Sequence, residues 1–297
     1  MDKEEIASWF KTLQDDICKG LTELDGSGSF LEDEWSRDGG GGGISRIMVN
    51  GTIIEKGGVN YSKVFGETPL SIAAGLNLES SDFFATGISI VMHPQNPMVP
   101  IIHMNTRYFE MKNGIKWFGG GIDLTPHYID PDDAAFFHTS LKEVCDKHQR
   151  DYYLKFKKWA DDYFFITHRN ETRGIGGIFF DRLNDDEPLK MESIFHFVKD
   201  VGRSFLPIYS HIANKNKNMS YTDKEKDWQM IRRGRYVEFN LVLDKGTKFG
   251  LDSNGRIESI LMSLPPQANW LYNFTPEPQS AEYKTLQLLK KDIFWAK

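Results

Sequence analysis

Two strand-like segments of this chain carry side chains suited to gripping anions and moving protons. Ser89 and His93 lie within residues 86–93, and His103, Asn105 and Arg107 within residues 101–110. Side chains two apart on a strand share a face. Ser89, Val91 and His93 therefore share one face of the first strand, and His103, Asn105, Arg107 and Phe109 one face of the second, with Thr106 among the residues opposite, so that adjacent strands carry a one-sided polar set. A guanidinium fork binds carboxylates through two donors. An imidazole exchanges protons near neutrality, while a hydroxyl and an amide can orient a ligand. Antiparallel sheets do expose one polar face to water. Such a face usually carries Lys, Glu and Thr, so this set points instead to a binding site. Residues 115–124 add Gly119, Gly120, Gly121 and then Asp123. The glycines either admit a flat ligand to the backbone or mark a bend. Asp123 either accepts ligand N–H groups or serves the turn that follows at Thr125-Pro126.

These segments need a scaffold. Ile6, Trp9, Phe10, Leu13, Ile17, Leu21 and Leu24 recur at helical spacing and predict an N-terminal amphipathic helix. Residues 26–43, ending in five glycines, read as a flexible loop, with Gly39–Gly43 a candidate lid. Without a following Lys-Ser/Thr, the glycines make a weak phosphate loop. Residues 44–55 read as two strands around Asn50-Gly51. The short connections onward through residue 124 imply antiparallel pairing. Asp130-Pro131-Asp132-Asp133 starts a helix running to about residue 148. Further helices are expected over about 152–165, 191–214 and 280–295, with a capping box at Thr222-x-x-Glu225 opening another. Residues 173–181 read as a strand. So do residues 236–243, which alternate, with 256–263 as their antiparallel partner. Residues 173–177 could be a ligand-contacting loop or a tight turn. The expected fold is α+β, a single domain spanning residues 1–297, with a large antiparallel sheet flanked by α-helices on both faces.

Composition narrows the function. The net charge of −6 argues against non-specific nucleic-acid binding. It leaves room for an anionic small molecule held by a few arginines. Hydrophobic residues at 40% suffice for a sizeable core. The two cysteines, Cys18 and Cys145, form no CxxC and read as reduced thiols. No apolar run approaches the ~20 residues of a membrane span. With no presequence pattern at the N-terminus, the expected location is the cytoplasm.

Several segments together resemble one family. They are residues 85–94, 103–107, Trp117-Phe-Gly-Gly-Gly-Ile-Asp-Leu-Thr-Pro126, 157–163, 168–181, Gly234-Arg-Tyr-Val-Glu-Phe-Asn240 and 255–266. In order and spacing they resemble oxygen-dependent coproporphyrinogen III oxidase over nearly the whole chain. The resemblance implies conversion of two propionates of coproporphyrinogen III to vinyl groups, a late step of haem biosynthesis. The products would be protoporphyrinogen IX, CO2 and H2O2. O2 is the implied co-substrate, and no organic cofactor is implied. It also implies a homodimer, with the interface around residues 236–272, and a flat sheet sandwiched by helices. Implied substrate-binding positions are Ser89, Asn105, Thr106, Arg107, Asn254, Gly255 and Arg256. The implied proton donor is His103. Asp123 is the candidate for holding the pyrrole N–H groups. The family usually has Asp-Arg-Gly-Thr where this chain has Asp244-Lys245-Gly246-Thr247. Lysine keeps the charge but loses the two-pronged geometry.

Metal binding has been suggested for such members, and His93, His103, His138 and His168 are the matching candidates. Their spacing fits no local metal motif. His138 shares an apolar helix face with Leu141 and Cys145, as a core histidine would. The aromatics over residues 152–165 could line a ligand or form core. Two rival readings predict different behaviour. A metal-dependent oxygenase or decarboxylase of small carboxylates would lose activity with chelator. A tetrapyrrole carrier would bind porphyrin without consuming oxygen.

Overall fold

The computed structural model describes residues 1–67, 82–186, 190–252 and 255–297; Asn254 lies outside them. Helix α1 (Lys3–Asp25) begins where the Asp2 side chain accepts from the Glu4 N–H. It ends at Gly26, whose φ of 80° is the left-handed geometry that favours glycine. Its apolar stripe buries Ile6, Phe10, Leu13, Ile17 and Leu21. Gln14 shares that stripe and is fully buried, because its amide donates to the carbonyls of Ile44 (2.8 Å) and Val59 (2.7 Å).

Among the described residues nine strands follow the helix: β1 (Leu31–Ser36), β2 (Gly41–Val49), β3 (Ile54–Glu67), β4 (Asp82–Pro94), β5 (Ile101–Met111), β6 (Lys116–Thr125), the short hairpin β7 (Phe165–Ile166) and β8 (Glu171–Thr172), and β9 (Gly176–Leu183). Seven form one antiparallel sheet in the order β1-β2-β3-β4-β5-β6-β9. One face turns Ile88, Ile90, Met92, Ile102, Met104, Tyr108, Phe118, Ile122, Ile178 and Phe180 into the main core. Against that face pack α1, α2 (Pro131–Asp146), α3 (Tyr152–Tyr163) and α4 (Met191–Asn216). The opposite face is covered in part by α5 (Asp223–Glu238), a π-helical turn (Phe239–Leu243), α6 (Lys245–Asp252) and α7 (Ile257–Leu261). A last helix, α8, spans Ala281–Leu288. The α+β architecture, antiparallel with helices on both faces, is as the sequence indicates.

Three expectations are corrected. The glycine run is not a flexible loop or lid. It starts β2, and β1 pairs with it from Ser36↔Gly42 and Trp35↔Gly43 onward. A Cβ on Gly43 would meet the Trp35 ring at 2.5 Å and the Tyr61 carbonyl at 2.4 Å. Gly40 and Gly41 have φ of 113° and 82°. These glycines permit a tight hairpin under an indole; they are not there for mobility.

Residues 236–243 are not a strand, and 256–263 is not their partner. The helix launched at the Thr222 capping box continues without a breaker into the π-helical turn. Its buried residues Tyr236, Phe239 and Asn240 stand at helical spacing. The apparent period of two arose because both periodicities fit so short an apolar run. Residues 257–261 form α7 instead.

The last helix stops at Leu288, well short of 295. Beyond it the backbone is captured elsewhere. The Leu289 carbonyl accepts from the Thr172 N–H (3.0 Å), and the Asp292 N–H donates to buried Asp161 (2.9 Å).

Candidate active site

Strand register builds the polar face in rows. One row runs Asn60, Ser89, Asn105, Gly121, Phe179. A second runs Ser62, Gly87, Arg107, Gly119. A third runs Gly58, Val91, His103, Asp123, Gly177. Alternation along β5 leaves His103, Asn105 and Arg107 half-buried on this face, while Ile102, Met104, Thr106 and Tyr108 are buried on the other. Glycines flank Arg107 on both sides, so its row is a low platform bearing one tall cation.

The centre of the face is a chain of directed hydrogen bonds. His103 and Asp123 are direct cross-strand partners. The His103 Nδ1–H donates to Asp123 Oδ1 at 2.7 Å. The other carboxylate oxygen, Oδ2, accepts from Arg173 Nη2 at 2.6 Å. Arg173 Nη1 donates to the Asn240 side-chain oxygen at 2.9 Å. Burial pushes the Asp123 carboxyl up, but the Arg173 charge and the His103 bond outweigh it. The group is held below the usual carboxylate range and stays ionised. The Arg173 guanidinium lies 4.5 Å from the Phe164 and Tyr236 ring centres and 4.7 Å from that of Phe239. This aromatic cage stabilises a cation taken out of water. With Nδ1 committed, the imidazole of His103, 23% exposed, has Nε2 unpartnered among the described residues. An oriented, partly exposed imidazole with its second nitrogen free is the arrangement that general acid–base catalysis requires.

Arg107 stands beside this chain. Its Nη1 donates to Asn105 Oδ1 (3.0 Å) and its Nη2 to Asp181 Oδ1 (2.7 Å). Towards β9 the wall is aromatic. Tyr163 stacks on Phe179 with ring centres 4.2 Å apart, and its hydroxyl donates to Asp244 at 2.7 Å. Asp244 in turn caps α6 by accepting from the Thr247 N–H and hydroxyl. Lys245 is exposed at the start of that helix. The aromatics of residues 152–165 thus divide. Tyr152, Tyr153 and Phe156 are core, whereas Tyr163 and Phe164 border the site.

Several expected residues fall elsewhere. Asp123 lies within the hydrogen-bonded chain. It is 2% exposed, and its two oxygens accept from His103 and Arg173. Thr106 points its side chain into the core on the opposite face, because the strand period puts it out of phase with Asn105 and Arg107. Arg256 pairs with Asp33 (2.5 Å) and Ser259 (3.2 Å) near the β1–β2 end of the sheet, with Gly255 beside it. It stands apart from Arg107, whose partners lie on β5 and β9.

The four candidate metal-binding histidines do not converge. Each has its own protein partner. His93 Nε2 donates to the Ser263 carbonyl (2.8 Å). His138 accepts from Tyr153 and donates to the Ile175 carbonyl, and burial lowers its pKa to about 3. His168 pairs with Glu238. His138 lies in the core beneath the sheet and His168 on a half-exposed loop. Among the described residues no group of three or more His, Cys, Asp or Glu is placed to hold a metal ion.

Arg173, Asn240 and Asp181 were not singled out by sequence reasoning. Arg173 sits before a glycine-rich turn that read equally as loop or structure. The turn is structural: a Cβ on Gly174 would meet the Leu124 carbonyl at 2.2 Å, and Gly176 has a φ of 74°. Its result is to deliver the guanidinium beneath Asp123. The available signal was an arginine inside an otherwise apolar strand approach.

Comparison with known proteins shows the family. The family model described as coproporphyrinogen III oxidase matches residues 5–295. An oxygen-dependent coproporphyrinogen-III oxidase of Prochlorococcus marinus strain NATL1A is 47% identical over 307 aligned residues, covering 95% of this chain and 88% of that protein. The protein of the same name from strain NATL2A matches at the same identity and coverage. A match that spans the whole sheet and every residue of the hydrogen-bonded chain leaves one assignment: this protein belongs to the coproporphyrinogen III oxidase family.

Proposed function

We propose that this chain is an oxidoreductase that converts two propionates of coproporphyrinogen III to vinyl groups, giving protoporphyrinogen IX. Each propionate loses its carboxyl group as CO2 and one hydrogen from the β-carbon, the methylene attached to the pyrrole ring. O2 takes the two electrons and two protons and leaves as H2O2. The observation that carries the reading is the oriented imidazole of His103, ordered by ionised Asp123, beside Arg107 on a glycine-paved face. A carrier would need arginines and apolar walls but no oriented base. Arg107 takes a substrate carboxylate, and Ser89 and Asn105 position the macrocycle between it and His103. Through Nε2, His103 removes or returns the proton that accompanies oxidation. Arg256 supplies a second carboxylate anchor. The decisive assay is oxygen uptake with coproporphyrinogen III. One O2 should be consumed for each CO2 released, and protoporphyrin fluorescence should appear after oxidation of the product. Porphyrin binding without oxygen uptake would identify a carrier instead.

We also infer a homodimer. Leu241, Val242, Phe249, Leu251, Trp270 and Leu271 are exposed apolar side chains within the segment expected at the interface. Val242→Glu combined with Leu271→Glu should convert a dimer to a monomer in light scattering behind size exclusion. An unchanged mass would refute this interface. Among the described residues no helix is long and apolar enough to cross a membrane. Cys18 and Cys145 are buried and unpaired, which suits the reducing cytoplasm.

A further inference from the structure

The geometry points to Asp181 as a positioning residue for substrate binding, acting through Arg107. This role rests on the carboxylate-binding reading of Arg107 above. Arg107 rises from β5 between two glycines, with no neighbouring side chain in its row to brace it. Its guanidinium is nevertheless fixed. Asp181, reaching across from β9, accepts from Nη2 at 2.7 Å, and Asn105 accepts from Nη1 at 3.0 Å. Among the described residues only two of its five N–H donors are used, which leaves three for a two-pronged grip on a carboxylate. The pair is half-open, with side chains 39% and 30% exposed, so a ligand can reach the remaining donors.

Gly119 makes the contact possible. A Cβ there would lie 2.4 Å from Asp181 Oδ1 and 2.9 Å from Arg107 Nη2. The absent side chain is the space through which the carboxylate reaches the guanidinium. Because the obstructed atom is the free end of a side chain, Gly119→Ala displaces Asp181 without disturbing the strand.

Two effects of Asp181 oppose one another. Its charge repels an incoming carboxylate, and its hydrogen bond holds Arg107 in the binding geometry. Repulsion between half-exposed charges is weakened by solvent. An unbraced arginine must be ordered at the moment of binding, which weakens affinity. Positioning therefore wins. The interaction is made with the ground state and the transition state alike, so its loss acts on KM and not on kcat.

Coproporphyrin III, the oxidised and unreactive macrocycle with the same four propionates, is the probe. Fluorescence titration should give about tenfold weaker binding for Asp181→Ala and for Gly119→Ala. Asp181→Asn keeps the acceptor oxygen and should stay within threefold of wild type. In steady-state assays with coproporphyrinogen III, Asp181→Ala should raise KM by a similar factor at nearly constant kcat. In an Arg107→Met background, Asp181→Ala should have no further effect, which a merely structural residue would not show. Equal or tighter binding by Asp181→Ala, or an undiminished effect in the Arg107→Met background, would overturn the role. Absence of probe binding by the wild type would overturn the carboxylate reading of the site as well.

Discussion

Asp123→Ala should reduce kcat by about 1,000-fold or more and destabilise the fold by about 3–5 kcal/mol. The two losses have different origins. Catalytically, Asp123 fixes which imidazole nitrogen of His103 carries the proton and holds the ring in place. Removing the acidic member of such an arrangement leaves the base in the wrong tautomer, and its contribution is lost almost entirely. Structurally, Arg173 is 3% exposed and Asp123 is the carboxylate bonded to it. Without that partner a buried cation remains, which is the expensive way to break a buried ion pair. His103→Ala separates the effects. It should abolish turnover to a similar degree while lowering the melting temperature far less, because Asp123 still neutralises Arg173. Stopped or steady-state turnover and thermal melts of both variants provide the check. Wild-type kcat in His103→Ala would remove the imidazole from the mechanism. The pH dependence has a defined sign. Asp123 is depressed below its unfolded value of about 3.9, so its stabilising contribution is complete above that value. It is lost as pH falls through the lower folded-state pKa.

Asp25→Ala should destabilise the protein by about 3–4 kcal/mol although it touches nothing in the site. Asp25 is the last residue of α1 and is buried. One oxygen accepts from the N–H groups of Gly28 (2.7 Å) and Thr52 (2.9 Å), the other from those of Ile53 (2.8 Å) and Ile54 (2.9 Å). A single carboxylate therefore ties the end of the helix to the turn between β2 and β3. These four backbone donors, and the Ser27 N–H at 3.4 Å, lose their acceptor in the alanine variant, and water cannot reach all of them. Burial raises the carboxyl pKa, and the Ile54, Ile53, Thr52 and Gly28 N–H groups together lower it further than burial lifts it. Its contribution is thus present above the unfolded value of about 3.9 and disappears as pH falls through the lower folded value. In a chain of this size the predicted change lowers the melting temperature by roughly 6–12 °C at neutral pH. The gap to wild type should narrow below about pH 4. A melting temperature within 2 °C of wild type at pH 7 would rule out this account.

Much of the scaffold was legible because periodicity is a local property. The alternation over residues 86–93 and 101–110 placed Ser89, His103, Asn105 and Arg107 on one face, and β4 and β5 present them so. The Asp130-Pro131 start of α2, the capping box at Thr222 and the Asn50 turn were equally readable, since each is settled within four or five residues. The failures occurred where distant parts of the chain decide. Gly43 is a strand residue because the Trp35 indole lies on it. Residues 236–243 are helical because the preceding helix runs into them and Arg173 receives Phe239 and Asn240.

The chemistry divides along the same line. The sequence alone determined that a proton-transfer group, a guanidinium and a run of glycines share one sheet face, because a period of two needs no knowledge of neighbours. Only the tertiary structure decided what each does. Asp123 looked like a ligand-facing carboxylate until β9 brought Arg173 beneath it, 50 residues along the chain. Asp181 looked like a strand end until the gap at Gly119 let it reach Arg107, 74 residues away. Which partner neutralises a buried charge depends on strand order and register. Those are set by the packing of the whole sheet, and no local pattern encodes them.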